Sequence, residues 1–280
     1  MRRKEKAYAK INLSLKVLNK REDGFHNLDM LMVNINLFDI LYFKKAKDIK
    51  VSMNKDVCEM EDNIVYKTAL LLKNKFNVND GIDIYIKKNI PDGGGLGGGS
   101  SDAATTLLVL NEMWNLNLSI EELSDIAAGL GSDICFFLYK HIARVKSKGE
   151  IVETLDKRLN EDIALIIPDV KCNTKKVFQN HVIEENNKSI DELINNLDGD
   201  YYKYIFNDLE DTSKRVYKEY KLDEIKENAY KTGFDAVLMS GSGSTVFALS
   251  KQAFKQKIKT LKKLYPQYLI IACKTISSCK

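Results

Sequence analysis

The sequence has few of the residues that build disulfide frames, metal clusters or membrane spans. It contains 5 cysteines without C-x-x-C spacing, 3 scattered histidines and 3 prolines in 280 residues. An odd number of cysteines at irregular spacing favours free thiols in a reducing compartment over a disulfide frame or a zinc site. No apolar run reaches the roughly 18 residues that span a bilayer, and no signal peptide is evident behind the basic N-terminus. We therefore expect a cytoplasmic protein with no membrane partner.

An excess of one sign of charge is also missing. The chain has 43 Lys and Arg residues against 39 Asp and Glu residues, which leaves a net charge of +4. Dedicated nucleic-acid binders usually concentrate basic residues on one face or element. One lysine series has helical spacing and indicates a solvated helix face instead: Lys251, Lys255, Lys259 and Lys262. We therefore expect no nucleic-acid partner.

Glycine is concentrated in one stretch, Pro91–Asp102, which holds 6 of the 15 glycines of the chain. Before it, isoleucines at alternate positions of residues 82–87 predict a half-buried strand. After it, apolar residues recur at helical spacing behind three candidate helix caps, Ser100, Ser101 and Asp102. A glycine loop between a strand and a helix N-terminus presents bare N–H groups and the positive end of a helix dipole to an anion. The stretch therefore predicts a phosphate site.

The common phosphate loops match this stretch only in part. A Walker A loop ends in Gly-Lys-Ser/Thr, whereas two serines follow Gly98 and Gly99 here. A G-x-G-x-x-G pattern is present, but no acidic residue ends a second strand as a dinucleotide fold requires. Neither the H-R-D nor the D-F-G motif of protein kinases occurs. A flexible linker is the remaining alternative, although linkers are rarely framed by a strand and a capped helix.

The rest of the chain predicts an α+β protein of two domains. Alternation over residues 7–18 predicts a strand with Lys10 and Asn12 on its polar face, and extended runs at 30–43 and 49–53 are predicted to complete a meander. The charged stretch 146–162 is the expected junction, which gives an N-terminal domain of residues 1–155 and a C-terminal domain of residues 156–280. In the second domain, one helix is predicted to face the core with Phe254, Ile258, Leu261 and Tyr265.

Asp133 stands between a helix that is predicted to end near Gly131 and the apolar run 134–138. That helix begins with a capping box, Ser119-x-x-Glu122. Aspartate is rarely buried without a partner. From the residues alone, Asp133 either caps the next turn or serves as a catalytic carboxylate, and Lys10 is most simply a solvent-facing strand lysine.

Several segments resemble the motifs of the GHMP kinase superfamily, which includes galactokinase, homoserine kinase and mevalonate kinase. Three of them are the strand Ala9–Leu13, the glycine stretch and a late glycine loop at 239–245. Others are most similar to the kinases that act on 4-diphosphocytidyl-2-C-methyl-D-erythritol: Arg21-x-Asp23-Gly24-Phe25-His26, Gly131-Ser132-Asp133-Ile134-x-Phe136-Phe137 and Asn207-Asp208-Leu209-Glu210. Together these matches run from residue 9 to about residue 249.

The resemblance implies a two-domain fold with a ribosomal-protein-like N-terminal domain and a ferredoxin-like α/β sandwich at the C-terminus. It implies an ATP-dependent kinase that phosphorylates the 2-hydroxyl of this cytidyl substrate in non-mevalonate isoprenoid precursor biosynthesis. Lys10 and Asp133 match the catalytic pair of the family. Asp133 would accept the proton of the hydroxyl while Lys10 neutralises developing charge. Mg²⁺ is expected with ATP, but no ligands for it are identifiable.

The resemblance also implies which residues bind the two substrates. Asn63 would contact adenine, and the loop would cradle the triphosphate through Pro91, Asp92, Gly93, Gly94, Gly95, Leu96, Gly97, Gly98, Gly99, Ser100 and Ser101. The cytidine diphosphate group would contact Asn12, Phe25, His26, Met32, Thr174 and Phe178, with the rings of Phe25 and Phe178 stacked on cytosine. Three residues depart from the family pattern: Phe25 replaces a tyrosine, Met32 an aromatic residue and Cys135 a proline.

Three other functions stay open at this point. One alternative is a GHMP kinase for another alcohol such as homoserine or mevalonate. A second alternative is a nucleotide-binding module without catalysis. RNA binding through the ribosomal-protein-like domain is the third, and the balanced charge weakens it. We expect a monomer or a weak homodimer.

Overall fold

Two β-sheets with helices packed against them position every residue of the candidate site. The computed structural model describes residues 2–55, 58–139 and 141–276, so that Cys279 lies outside the described residues. The strands in this part of the chain are β1 (Arg2–Lys20), β2 (His26–Ala46), β3 (Lys50–Met53), β4 (Gly81–Lys87), β5 (Ile142–Ser147), β6 (Ile151–Thr154), β7 (Asp162–Ile167), β8 (Phe206–Asn207), β9 (Ala236–Met239), β10 (Val246–Ser250) and β11 (Leu269–Lys274).

The helices connect these strands and cover the sheets. They are α1 (Ile64–Lys75), α2 (Gly98–Met113), α3 (Ile120–Ala128), α4 (Ile134–Tyr139), α5 (Thr174–Gln179), α6 (Ile190–Asn195), α7 (Glu210–Val216), α8 (Leu222–Lys231) and α9 (Phe254–Leu264), with 3-10 turns at Met60–Asp62 and Tyr201–Tyr204. The predicted capping box is confirmed, since Ser119 Oγ accepts from the N–H of Glu122 and the Glu122 carboxylate accepts from the N–H of Ser119. Among the described residues, no helix is both long and apolar enough to cross a membrane.

The first sheet is organised around the long antiparallel pair of β1 and β2. Both strands are longer than predicted, and the register shifts between Tyr8 and Lys10 and again between Asn12 and Ser14. The predicted meander is wrong, because β3 pairs in parallel with β4, and β4 lies between β3 and β2. The chain crosses over through α1 before it returns as β4, and parallel pairing requires such a crossover.

The second sheet has the antiparallel order β11-β7-β10-β9. The core-facing side of α9 is confirmed: Ile258, Leu261 and Tyr265 are buried, and Phe254 packs against the same cluster. The mixture of strands and helices in both halves confirms the predicted α+β class.

The short strand β8 joins the two halves of the molecule. Asn207 of β8 is paired with Leu15 of β1, so a residue from the second half of the chain extends the first sheet. Its side-chain Nδ2 donates to the carbonyl oxygens of Met239 and Gly241 at 2.8 and 2.7 Å, and its side-chain Oδ1 accepts from the N–H of Leu209. These contacts attach the end of β9 and the glycine loop after it to the first sheet.

Candidate active site

The glycine stretch lies between β4 and α2, as predicted, but the helix starts earlier than its candidate caps. Gly97 is the N-cap residue, with the left-handed backbone conformation φ +70° and ψ 23°, and no side chain caps the helix. Ser101 and Asp102 are buried within α2. The predicted caps are wrong because glycine adopts this left-handed conformation without strain, so the helix begins at Gly98. The first N–H groups of α2 thus have neither an intrahelical partner nor a side-chain cap, which favours an anion there.

Two glycines of the stretch are required because the loop between β9 and β10, residues 240–245, packs directly on them. A Cβ on Gly95 would lie 2.2 Å from the carbonyl oxygen of Ser240, and a Cβ on Gly94 would lie 2.7 Å from Thr245 Oγ1. The N–H of Thr245 donates to the carbonyl oxygen of Gly94 at 3.3 Å, and Ser240 Oγ donates to that of Gly95 at 3.0 Å. The two glycine segments therefore form one packed unit across the two sheets.

Lys10 and Asp133 meet beside this unit. The Nζ atom of Lys10 lies 3.3 Å from Oδ2 of Asp133 and donates a hydrogen bond of 2.7 Å to Oδ1 of Asn12. The Lys10 side chain is 4% exposed, whereas that of Asp133 is 32% exposed. The N–H of Lys10 donates to the carbonyl oxygen of Leu96 at 3.0 Å, which ties β1 to the glycine loop. Asn12 thus fixes the Lys10 ammonium group in a buried position, while the Asp133 carboxylate stays partly exposed to solvent.

Asp133 owes its position to α4, whose first residue follows it directly. The next helical residues are buried, and the ring of Phe137 packs under the loop: a Cβ on Gly97 would lie 2.8 Å from Phe137 Cζ and 3.2 Å from Lys10 Cγ. Gly97 therefore permits both contacts. Cys135, which replaces the expected proline, is fully buried in this helix, and burial raises the pKa of its thiol.

A cavity of about 890 Å³ joins these groups to the aromatic end of the cleft. The sequence-predicted site residues that line it are Lys10, Asn12, Phe25, His26, Pro91, Asp92, Gly93, Gly94, Gly95, Leu96, Gly97, Gly98, Gly99, Ser100, Asp133, Thr174 and Phe178. The structure therefore brings the predicted catalytic pair, the glycine stretch and most of the predicted acceptor contacts together in one cavity.

Three predicted site residues do not line this cavity. Asn63 is the N-cap of α1, where its side-chain oxygen accepts from the N–H of Val65 at 2.9 Å, and Met32 is completely buried. Ser101 is buried within α2. Met30 lines the cavity instead of Met32, and its sulfur lies 3.5 Å from the side-chain nitrogen of Asn12.

The aromatic end of the cleft is arranged differently from a simple two-ring sandwich. The ring of Phe178 stacks on His26, with centroids 5.3 Å apart and planes 29° apart. Phe25 is 52% exposed, and Nζ of Lys148 lies 5.5 Å from its ring centroid. Burial, with a smaller effect of Lys20, lowers the pKa of His26 and so favours the neutral imidazole.

Sequence reasoning missed a buried charge cluster at both ends of the glycine stretch. Nζ of Lys88 lies 2.5 Å from Oδ2 of Asp39 and 2.8 Å from Oδ2 of Asp102. Asp39 also accepts from the N–H groups of Asn89 and Ile90, while Oδ1 of Asp102 is buried without a hydrogen-bond partner. The only sequence signal was Lys88 at the end of a strand, and its partners are 49 and 14 residues away.

Comparison with protein families adds an independent finding. The family model described as "GHMP kinases N terminal domain" matches residues 63–141, and that described as "GHMP kinases C terminal" matches residues 159–267. A 4-diphosphocytidyl-2-C-methyl-D-erythritol kinase from Thermodesulfovibrio yellowstonii is 41% identical over 87% of this chain and 88% of the relative. One from Clostridium perfringens is 37% identical over 88% of each chain.

Solved structures show the same relationship. The crystal structure of a 4-(cytidine 5'-diphospho)-2C-methyl-D-erythritol kinase is 28% identical, covers 99% of this chain and 100% of its own, and superposes with a TM-score of 0.83. A homoserine kinase from Cytophaga hutchinsonii has 18% identity and a TM-score of 0.70, covering 99% of this chain and 95% of its own. The second likeness shows the fold alone.

Proposed function

This chain belongs to the GHMP kinase family, and we propose that it transfers the γ-phosphate of ATP to the 2-hydroxyl of 4-diphosphocytidyl-2-C-methyl-D-erythritol. The product would be the 2-phosphate, an intermediate of non-mevalonate isoprenoid precursor biosynthesis. One observation carries the proposal. The Lys10–Asp133 pair, the glycine loop and an aromatic acceptor end line a single cavity. ATP as phosphoryl donor fits an intracellular reaction in the cytoplasm.

Asp133 acts as the proton acceptor in this scheme. As the hydroxyl oxygen of the acceptor bonds to the γ-phosphorus, its proton passes to the Asp133 carboxylate and the bond from that phosphorus to the ADP oxygen breaks. Lys10 lies 3.3 Å from the carboxylate and stabilises negative charge on it and on the transferring group. Asn12 fixes Nζ of Lys10 through its 2.7 Å hydrogen bond, so the cation does not need to reorganise during the reaction.

The glycine stretch binds the triphosphate. Its glycines remove side chains from the surface of the cavity, and the uncapped start of α2 offers N–H groups and the positive end of the helix dipole. Phosphoryl transfer depends mainly on such positioning and charge stabilisation.

Mg²⁺ accompanies ATP in this proposal, and its protein ligands are left unassigned. Among the residues that the structure describes, no three or more His, Cys, Asp or Glu side chains are grouped to hold a metal ion. Protein-bound Mg²⁺ commonly uses substrate phosphates, waters and one or two carboxylates. An ion carried by the nucleotide is consistent with this proposal, and no catalytic step here is assigned to it.

The acceptor site is at the aromatic end. Phe25, His26 and Phe178 provide flat surfaces for a pyrimidine, and stacking on aromatic side chains contributes about 1–3 kcal/mol per base in single-stranded nucleic-acid complexes. We propose that the Phe178 ring separates from His26 or slides along it to admit cytosine. All proposed contacts come from one chain, so a monomer or weak homodimer would suffice.

Release of ADP by the purified protein tests the proposal. The acceptors are 4-diphosphocytidyl-2-C-methyl-D-erythritol, homoserine and mevalonate, each with ATP and Mg²⁺. We expect turnover with the cytidyl compound only, and mass spectrometry should locate the new phosphate on its 2-oxygen. Turnover with homoserine or mevalonate alone would contradict the proposed acceptor, and no turnover with any of the three would contradict the proposed function.

A further inference from the structure

Five lysines line the cavity among the described residues, and only two of them have an acidic partner. Lys10 is paired with Asp133, and Lys88 with Asp39 and Asp102. The other three are Lys20, Lys148 and Lys175. No ion pair joins any of these three to an acid within the described part of the chain. We call them the lysine rim.

The lysine rim surrounds the aromatic end of the cleft and not the glycine loop. Lys20 is the register partner of His26 in the pairing of β1 with β2. Lys175 is three residues before Phe178 on α5, a spacing that places two side chains on the same helix face. Phe178 stacks on His26, so each ring of this pair has one of the two lysines as a neighbour in its own region of the fold, and both lysines line the cavity.

Lys148 completes the rim from a turn whose position is fixed. It lies in the turn between β5 and β6, and its Nζ lies over the Phe25 ring. A Cβ on Gly149 would lie 2.3 Å from the carbonyl oxygen of Ser132, so this turn packs directly on the residue before Asp133. The Lys148 backbone N–H donates to Glu150, which also accepts from Ser147 Oγ.

Asp23, the acid that lines the cavity at this end, has a cationic partner of its own. The Arg21 guanidinium donates to both of its oxygens at 3.2 and 3.1 Å. Three lysines that form no ion pair in the described part of the chain, around a set of aromatic rings, match a ligand with a planar base and adjacent negative charge. A diphosphate placed between a base and an alcohol has this chemistry, whereas homoserine and mevalonate have neither a base nor a diphosphate.

We propose that Lys20, Lys148 and Lys175 bind the diphosphate of the acceptor and select a nucleoside diphosphate over uncharged nucleosides and small alcohols. This inference rests on the proposed function, because it concerns the acceptor end of the same cavity. The lysines are binding and specificity residues. They do not touch the reacting atoms, so their loss should weaken acceptor binding without slowing the chemical step.

Binding of CDP and of cytidine by titration calorimetry tests the rim directly, with the ATP loop saturated by a non-hydrolysable ATP analogue. The test variant is Lys148→Gln with Lys175→Gln. The control is Lys146→Gln with Lys176→Gln, which removes the same charge from β5, next to the turn that holds Lys148, and from α5, at positions outside the cavity lining. It also removes the Lys146–Glu153 ion pair and the contact of Lys176 with the Tyr217 ring. Wild type and control should bind CDP roughly tenfold or more tighter than cytidine, and this ratio should fall to about 1–3 in the test variant. Lys20→Gln should lower it by an intermediate factor.

Kinetics with the cytidyl acceptor supply the second readout. The test variant should show a KM for the acceptor raised roughly tenfold, while kcat and the KM for ATP change less than about twofold. If the ratio of CDP affinity to cytidine affinity is unchanged in the test variant, or if the wild type does not prefer CDP, the proposed role of the lysine rim is wrong. If the wild type shows no turnover, the proposed function is wrong instead. The ratio of affinities from calorimetry still tests whether the lysine rim binds a diphosphate.

Discussion

A single ammonium group, Nζ of Lys10, connects the polar side chains at the bottom of the cleft. It is nearly buried, hydrogen-bonded to Asn12 and 3.3 Å from Asp133. A buried cation needs partners, and these two carry oxygen atoms from β1 and from the turn before α4. The same geometry that stabilises the lysine therefore aims the carboxylate into the cavity.

Replacing Asp133 with asparagine should abolish most of the turnover. Asparagine keeps the shape but cannot accept the proton, so kcat should fall roughly 10²- to 10⁴-fold while the KM for ATP changes little. Steady-state ADP release measures both values. Asp125→Asn, an exposed change on α3, is the matched control. Full turnover by Asp133→Asn would exclude the proton-acceptor role.

Asp102 is expected to make the stability of the fold depend on pH. Burial raises its pKa to about 7 against a usual value of 3.8; Lys88 opposes this shift and Asp39 adds to it. Because the folded-state pKa is the higher one, the stability contributed by this group is present below about pH 4 and lost as pH rises to about 7. Asp102→Asn removes this dependence.

The variant should therefore gain free energy of unfolding relative to wild type as pH rises from 5 to 8, by up to about 3 kcal/mol. Urea unfolding at several pH values measures this difference, and Asp125→Asn again serves as the control. A difference that is constant with pH would show that Asp102 does not titrate in this range.

The glycine stretch, as an element, is constrained by contacts within the protein itself. Its backbone lies against the loop between β9 and β10, and α2 starts where Gly97 turns left-handed. A linker would have no such contacts. The strand before the stretch and the helix after it were predictable, because hydrophobic periodicity is local to each element.

Alanine at Gly95 should destabilise the fold strongly. The position has φ +72°, and the added Cβ would lie 2.2 Å from the Ser240 carbonyl oxygen. Both effects together should lower the free energy of unfolding by more than about 2 kcal/mol. Gly99→Ala is the control, since its Cβ would meet only Ile64 Cγ2 at 3.7 Å and alanine favours a helix. Equal stability of the two variants in urea unfolding would contradict the packing described for the loop.

At the scale of the whole molecule, Asn207 links the two sheets. Its amide satisfies two buried carbonyl groups at the end of β9 while its backbone extends the first sheet. The loop between β9 and β10 is thereby held against the glycine stretch 91–102. The cavity depends on this union, since its lining includes Gly241 and Ser242 from the second half of the chain.

Asn207→Ala should cost about 1–3 kcal/mol of unfolding free energy, because two buried acceptors lose their donor. It should also raise the KM for both substrates, since the loops that line the cavity would no longer be held together. Asn180→Ala, at an exposed position where the amide donates to the Lys176 carbonyl oxygen, is the control for stability. A variant as stable as Asn180→Ala would mean that the sheets are held together mainly by other contacts.

Much of this molecule follows from local sequence. Alternation predicted the central part of β1 and nearly all of β4, the Ser119 capping box predicted α3, and the run of glycines predicted a loop before a helix. These features depend on neighbours in the chain, so a short window contains their cause. The GHMP kinase motifs then indicated Lys10 and Asp133 as partners, although the residues alone left a solvent-facing lysine and a capping aspartate open.

Only the tertiary structure decided the rest. Lys88 finds its acids 49 and 14 residues away, and Gly95 is required by a carbonyl group 145 residues further on. β3 does not pair with β2, because β4 lies between these two strands in the sheet. Lys20, Lys148 and Lys175 come from three unrelated elements and look in sequence like ordinary surface lysines. The sequence by itself determined where most helices and strands form and that a glycine loop precedes α2. Contacts between the sheets determined which charged groups lie together, because burial and proximity arise only after the chain has folded.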